Sequence, residues 1–365
     1  MIRVAILGVG LIGGSLALSL QHDEKQNIRV TGYDLDPSTL MLAQQLGIIH
    51  HGTMNLHEAT AEADFIFLCT PVDTILHLLK ELANLPLKPG CIISDTGSTK
   101  TKVVETGVSL LGKERFIGGH PMAGSHRSGV EAASDRLFEN AFYVLTPHPD
   151  TPESPRRRLM SLLAGTRATL VEMAAEEHDQ VVGLISHLPH IIAAALVRQV
   201  ARHDQENQWY SQLAAGGFRD LTRIASSNPI MWRDILLQNG HVLLQLLDEW
   251  QWEIDRIKRL LAQRDEKAIY HFFDEARTFR EQIPERKKGI LPPLYECYVD
   301  IPDRPGIIGE VATILGDRQI NLTNIQIIEN RADIPGVLRL SFRQQEDLEK
   351  AIEALQSKGF QVYRR

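Results

Sequence analysis

The run Ile2-Arg-Val-Ala-Ile-Leu7 is apolar over the length of a buried strand, and Gly8-Val-Gly-Leu-Ile-Gly13 follows at once, leading into the helix-like stretch Leu16 to Leu20. Few local patterns restrict a fold as strongly. A strand that breaks at a glycine turn and re-enters as a helix opens a dinucleotide-binding βαβ unit. One glycine permits the turn, a second lets a pyrophosphate approach the backbone, and a third lets helix pack on strand. Gly8, Gly10 and Gly13 hold those places, with Leu11 and Ile12 between them, and the helix N-terminus would face the phosphates. Taken alone, the spacing would also suit a purely structural turn. Its context argues otherwise, because the next strand-like run, Ile28 to Tyr33, ends at Asp34, where a carboxylate can accept the ribose hydroxyls. Asp34 would repel a 2′-phosphate and Leu35 supplies no basic replacement, so NAD is expected rather than NADP. Thr70 and Pro71, just beyond the run Asp64 to Cys69, are counted among the cofactor contacts.

Short apolar runs recur at Cys91 to Ser94, Arg115 to Ile117 and Phe142 to Leu145, each closed by loop residues and separated by helical stretches. Strands interleaved with helices predict a Rossmann-type, doubly wound parallel sheet over residues 1–165. From Glu172 the texture changes to leucines and isoleucines at helical spacing, which predicts an all-helical domain over residues 166–288. Its apolar positions Ile235, Leu236, Leu243, Leu244 and Leu247 exceed what three or four helices bury alone, so a homodimer is expected. After the polar run Pro284 to Gly289 and the pair Pro292-Pro293, residues 295–365 read strand, helix, strand, strand, helix, strand, a ferredoxin-like α+β module.

Composition excludes several classes. Hydrophobic residues make up 43% and charged residues 23%, the balance of an ordinary globular protein. With 39 Lys and Arg against 46 Asp and Glu the net charge is −7, which argues against a nucleic-acid partner held by bulk electrostatics. Cys69, Cys91 and Cys297 lack Cys-x-x-Cys spacing, so neither a disulfide framework nor a metal site is expected. Val4 to Leu20 is broken by glycines and lacks a cleavage site, which predicts no export, no membrane span and a cytoplasmic protein.

Ser98 and His120 fall in loops after successive strands, and ligands of such sheets bind beyond the strands' carboxyl ends. A histidine there can take the proton of an alcohol as hydride leaves, the simplest general base for an NAD-linked oxidation. The plainer readings are a histidine that caps its loop and, for Asp95-Thr-Gly-Ser98, ordinary turn chemistry.

The segments Gly8 to Ser15, Asp95-Thr-Gly-Ser-Thr-Lys100, Gly119-His-Pro-Met-Ala-Gly-Ser125, Ser186-His-Leu-Pro-His190 and Gly217-Phe-Arg-Asp-Leu-Thr-Arg-Ile-Ala225 together resemble the prephenate dehydrogenase family of tyrosine biosynthesis. The tail, with Asp303-Arg-Pro-Gly306 and Gln319-Ile-Asn-Leu322, resembles an ACT domain, a module that commonly binds amino acids. The resemblance implies NAD-dependent oxidative decarboxylation of prephenate to 4-hydroxyphenylpyruvate, CO2 and NADH. It assigns His120 to the ring hydroxyl, Ser98 to orienting that histidine and the nicotinamide, and Arg223 to the ring carboxylate. His190 and Ser125 become substrate-pocket residues, with His187 less clearly so. It also implies feedback by tyrosine through Pro305, Gly306 and Asn321. His126 stands where some members carry a Glu, so a carboxylate gate is not expected. Trp232 matches a position near the pocket, but a helical tryptophan is more often core or interface filling.

Ordinary helix chemistry competes for some of these residues. His187 with His190 could be a satisfied pair, and Asp220 with Arg223 an i, i+3 ion pair. Alternative functions are arogenate dehydrogenase, whose substrate differs only in its side chain, and a dehydrogenase of β-hydroxy acids, which would need a lysine base in the helical domain. A non-catalytic amino-acid sensor is a third, opposed by the retention of both Ser98 and His120.

Overall fold

The computed structural model describes residues 1–22, 27–124, 127–283, 295–302, 304–331 and 334–364. Ser125, His126, Asp303 and the proline-bearing linker lie outside the described residues. Two compact units are present, Met1–Arg277 and Thr278–Arg365.

The first unit begins β1 (Ile2–Leu7), α1 (Leu11–Gln21), β2 (Ile28–Tyr33), α2 (Pro37–Gln45), β3 (His51–Thr53), α3 (Leu56–Thr60) and β4 (Phe65–Leu68). It continues α4 (Val72–Leu82), β5 (Ile92–Asp95), α5 (Thr101–Leu111), β6 (Phe116–Pro121), β7 (Phe142–Thr146), α6 (Glu153–Leu163) and β8 (Thr169–Glu172). These strands form one sheet in the order β3-β2-β1-β4-β5-β6-β7-β8. Successive residues of a strand point to opposite faces, and here both faces are covered. Val4, Ile6, Phe65 and Phe67 enter one core with Leu16 and Leu20 of α1. Ala5, Leu7, Ile66 and Leu68 enter the other with Ile75 and Leu79 of α4. That is why the strands read as unbroken apolar runs rather than as alternations.

Two features add detail to the expected Rossmann-type sheet. The sheet is parallel from β3 through β6, but β7 runs antiparallel to β6, with Gly118 opposite Thr146 and His120 opposite Val144. The sheet also continues past residue 165, because Thr169–Glu172 pairs in parallel with β7. The antiparallel join lets the chain leave β6 at its carboxyl end and return directly through β7, where a parallel partner would need a crossover.

The helical part runs α7 (Ala175–Val182), a π-helical turn at Gly183–His187, and α8 (Leu188–Asp204). It continues α9 (Trp209–Gln212), α10 (Gly216–Thr222), α11 (Pro229–Gln238), α12 (Gly240–Gln263) and α13 (Glu266–Gln282). Ala175–Asp204 is continuous and, by length and composition alone, long and apolar enough to cross a membrane. Asn228 caps α11, its side chain accepting from Ile230 N and Met231 N, with Pro229 at the first helical position. Of the positions predicted to face a second copy, Ile235 and Leu243 are buried within their own chain, whereas Leu244 is 68% exposed. Leu184, Ile185, Leu213 and Leu237 are also largely exposed.

The second unit contains β9 (Tyr295–Ile301), α14 (Ile307–Asp317), β10 (Asn324–Arg331), β11 (Ile334–Phe342), α15 (Gln345–Gln356) and β12 (Val362–Arg364). The antiparallel sheet has the order β10-β11-β9-β12, the arrangement of a ferredoxin-like βαββαβ module. Its core joins Val299, Leu338 and Leu340 of the sheet to Val311, Leu315, Ala351 and Leu355 of the two helices.

Candidate active site

The strand order reverses between β1 and β4, so a crevice opens at their carboxyl ends. The glycine turn forms one side of it. Gly8 has φ +97°, a conformation that favours glycine, and a Cβ there would come within 2.7 Å of Thr70 Cγ2. Gly13 packs so tightly that its Cβ would lie 2.0 Å from the Gly8 carbonyl oxygen. Gly10 differs, since nothing lies within 4 Å of the place a Cβ would occupy. It is the N-cap of α1 and has no side-chain cap, so the first N–H groups of the helix, beginning at Leu11 and Ile12, are open to a ligand.

Asp34 sits at the end of β2, half-buried, and its Oδ2 accepts from Val9 N at 2.9 Å while Oδ1 accepts from Asp36 N at 3.1 Å. On the other wall, the buried Thr70 Oγ1 has no hydrogen-bond partner, and exposed Pro71 caps α4. An open glycine, an uncapped helix N-terminus, a carboxylate at the second strand and an orphaned hydroxyl fit a dinucleotide. The expected residues Gly8, Gly10, Leu11, Ile12, Gly13, Asp34, Thr70 and Pro71 therefore border one crevice.

Ser98 and His120 are tied together through a residue the sequence reading passed over. Asp95, fully buried at the end of β5, accepts from Gly97 N at 2.8 Å and from Gly119 N at 3.1 Å, the residues just before each. Its third partner is the ammonium of Lys100, also fully buried. Burial pulls the Lys100 ammonium below the ordinary lysine value despite the attraction of Asp95. A carboxylate with three donors fixes the loop of Ser98 against β6, leaving both Ser98 and His120 half-buried.

Behind His120 stands a second group absent from the expected set. His120 Nδ1 lies 2.8 Å from His178 Nε2, and His178 Nδ1 lies 2.8 Å from Asp179 Oδ1. Asp179 also accepts from Lys100 N at 2.7 Å and Thr101 N at 2.8 Å, which anchors the start of α5. Burial, followed by the neighbouring charges of His178, Lys100 and His187, holds His120 well below the ordinary histidine value. Burial also lowers His178, although its bond to Asp179 opposes the shift. For Asp179 burial acts upward, but hydrogen bonds from His178 and Thr101 outweigh it and keep the carboxyl below its usual range. His178-Asp179 carries no motif spacing, and only the packing of α7 against α5 brings it to His120.

The π-helical turn places His187 and His190 beyond this group. His187 is buried, contacts Asn239 Nδ2 through Nδ1 at 3.2 Å, and is pushed down to about 4 mainly by burial. His190 Nδ1 lies 2.8 Å from the Ser186 carbonyl oxygen, and its ring stacks on Trp232 with centroids 3.8 Å apart. Trp232 also meets His187 edge-on, and its buried Nε1 has no partner. It therefore packs against the very histidines in question rather than merely filling a core. Arg223 is exposed at the end of α10, and after burial its charge helps hold His190 low. No ion pair joins Arg223 to Asp220 among the described residues, so the guanidinium is not committed there. Asn239 Nδ2 donates to the Asp179 carbonyl at 2.9 Å, linking α12 to the histidine group.

In the second unit, Pro305 and Gly306 line a cavity of about 410 Å³ with Arg304, Ile307, Ile308 and Ile327. Gly306, with φ +88°, is the N-cap of α14 and offers no side-chain cap. Asn321 is exposed and is not part of the lining.

Three family descriptions match the chain in succession. Residues 16–172 match the family described as prephenate dehydrogenase, nucleotide-binding domain, residues 174–275 its dimerization domain, and residues 295–360 the ACT domain. The chain is 44% identical to the prephenate dehydrogenase of Bacillus subtilis, across 98% of this chain and 96% of that protein. It is 41% identical to that of Lactococcus lactis, across 97% of each. Among solved structures it resembles the prephenate dehydrogenase of Aquifex aeolicus in complex with hydroxyphenyl propionate and NAD+. There the TM-score is 0.73 and the identity 34%, covering 78% of this chain and 99% of that one.

Proposed function

The chain belongs to the prephenate dehydrogenase family, and from that premise we propose that it oxidatively decarboxylates prephenate with NAD to 4-hydroxyphenylpyruvate, CO2 and NADH. The observation that carries the reading is the half-buried imidazole of His120 beside the Ser98 loop, both pinned by Asp95 in a fold whose glycine crevice fits a dinucleotide. NAD, when bound, supplies the hydride acceptor. Gly8, Gly10, Gly13, Asp34, Thr70 and Pro71 would hold it, and Ser98 would orient the nicotinamide and His120.

Prephenate is a dianion whose ring carries a hydroxyl opposite a carboxylate. His120 accepts the hydroxyl proton as hydride leaves the carbinol carbon, which turns the ring into a dienone. Loss of CO2 from the opposite ring carbon then yields a phenolate, and the proton returns to its oxygen from His120. No net proton is consumed, and aromatisation drives the sequence. Arg223 binds the ring carboxylate through its bidentate fork, and His190, held on Trp232, lines the side-chain end of the pocket.

The match to a dimerization domain and the exposed apolar side chains of the helical part support a homodimer. In the ACT unit, tyrosine as feedback inhibitor is supported by the cavity at the N-terminus of α14, whose uncapped N–H groups suit a carboxylate. NADH formation measured with prephenate and with arogenate, each with and without tyrosine, tests these points together. The reading predicts turnover of prephenate in preference to arogenate and inhibition by tyrosine, and absence of prephenate turnover would refute it.

A further inference from the structure

We propose that His178 and Asp179 are positioning residues for His120: they fix its tautomer and carry inward the charge it acquires from the substrate hydroxyl. The inference rests on the assignment of His120 as the proton acceptor and extends it to a buried chain of three groups.

The directions of the hydrogen bonds determine the chain. Backbone N–H groups can only donate, so the bonds from Lys100 N and Thr101 N make the Asp179 carboxylate the acceptor on both oxygens. The same carboxylate at 2.8 Å from His178 Nδ1 requires the proton to sit on Nδ1. A neutral imidazole has one N–H, which leaves a lone pair on His178 Nε2. His120 Nδ1, 2.8 Å away, must then carry its own proton. What remains is the Nε2 lone pair of His120, the state needed to receive a hydroxyl proton. The opposite tautomer would present Nε2–H, a donor, and the base would be lost.

The chain also gives the charge somewhere to go. As His120 Nε2 takes the substrate proton, the His120 Nδ1–H bond can break while a His178 Nε2–H bond forms. The positive charge then lies one ring deeper, against the ionised Asp179. When the phenolate forms, His120 Nε2 gives its proton to the phenolate oxygen and the reverse transfer returns the proton of His178 Nε2 to His120 Nδ1. The other groups facing the two rings are the Lys100 ammonium with its Asp95 partner, and His187. Lys100 and His187 oppose a charge on His120, which makes relief by Asp179 the more useful. His178 is fully buried and Asp179 is 1% exposed, and Asn239 clamps the Asp179 carbonyl, so the chain is held rigidly.

Two measurements on the full-length protein test this. In the 15N-histidine-labelled enzyme, the neutral ring whose signal vanishes in His120→Asn should be the Nδ1–H tautomer with Nε2 unprotonated. An Nε2–H tautomer would overturn the proposal whether or not any variant at position 178 folds. In His178→Gln and Asp179→Asn, kcat should fall by about tenfold to a hundredfold, with the KM values for prephenate and NAD within about threefold of the parent. The acidic limb of kcat/KM should move to lower pH by at least about half a unit, because a proton on His120 alone is farther from a compensating carboxylate. Unchanged kcat, or a loss of kcat with an unmoved acidic limb, would reduce His178 to packing and overturn the proposal. Failure of the parent enzyme itself to form NADH from prephenate would instead refute the assigned function, and the tautomer measurement separates the two outcomes.

Discussion

The carboxylate of Asp34 accepts from the backbone N–H of Val9 at 2.9 Å, so the residue placed to bind a ribose also fixes the glycine turn that faces the phosphates. The two halves of the cofactor site are thus mechanically one. Asp34→Ala should raise the KM for NAD by about tenfold or more, losing a charge-assisted bond and the order of the turn together. The parent should prefer NAD to NADP, and kinetics with both cofactors would expose an error if NADP were favoured more than about tenfold in kcat/KM.

The glycines divide into structural and ligand-facing kinds. Gly10→Ala meets nothing within 4 Å and has an ordinary N-cap φ of −89°, so thermal stability should hold while NAD affinity falls by about tenfold. Gly8→Ala forces a Cβ against Thr70 and Cys69 at φ +97°, and should cost roughly 2 kcal/mol of stability. Thermal melts with NAD titrations on both variants check the contrast. Equal affinity loss with equal destabilisation would contradict it.

Acid should weaken the helical part through His187. Its folded value of about 4 lies below the ordinary 6.5, so the unfolded chain binds a proton first and stability falls as pH drops from about 6.5 toward 4. Between pH 7 and 5 the loss from this residue is about 2 kcal/mol. All four tryptophans (Trp209, Trp232, Trp250 and Trp252) lie in the helical part, so denaturant unfolding followed by their fluorescence reports on it. His187→Gln should show a correspondingly smaller acid loss, and an identical pH slope would refute the assignment.

Arg223 is exposed and unpaired with Asp220, which fits a cation waiting for a carboxylate. Arg223→Ala should raise the KM for prephenate by about tenfold or more with a smaller change in kcat, because the contact is common to ground and transition states. An unchanged KM would remove Arg223 from the pocket.

Much of this was legible in the sequence because local chemistry dictated it. The glycine turn, the apolar strands and the ferredoxin-like order depend on neighbours in the chain. β3, with only His51-Gly-Thr53, and β8, at Thr169–Glu172, carry no such signal and exist through pairing with β2 and β7. Asp95 read as a turn residue, and Lys100 carried no role of its own, until their burial showed them locking the Ser98 loop to Gly119. His178 and Asp179 were missed for the same reason, since their role depends on contacts with residues far away in sequence.

Turnover of prephenate by His120→Asn tests the central claim most directly, since every role assigned above converges on that ring. The account predicts kcat lowered by about 300-fold or more, with NAD bound as tightly as by the parent. Near-normal kcat with prephenate and NAD would contradict it.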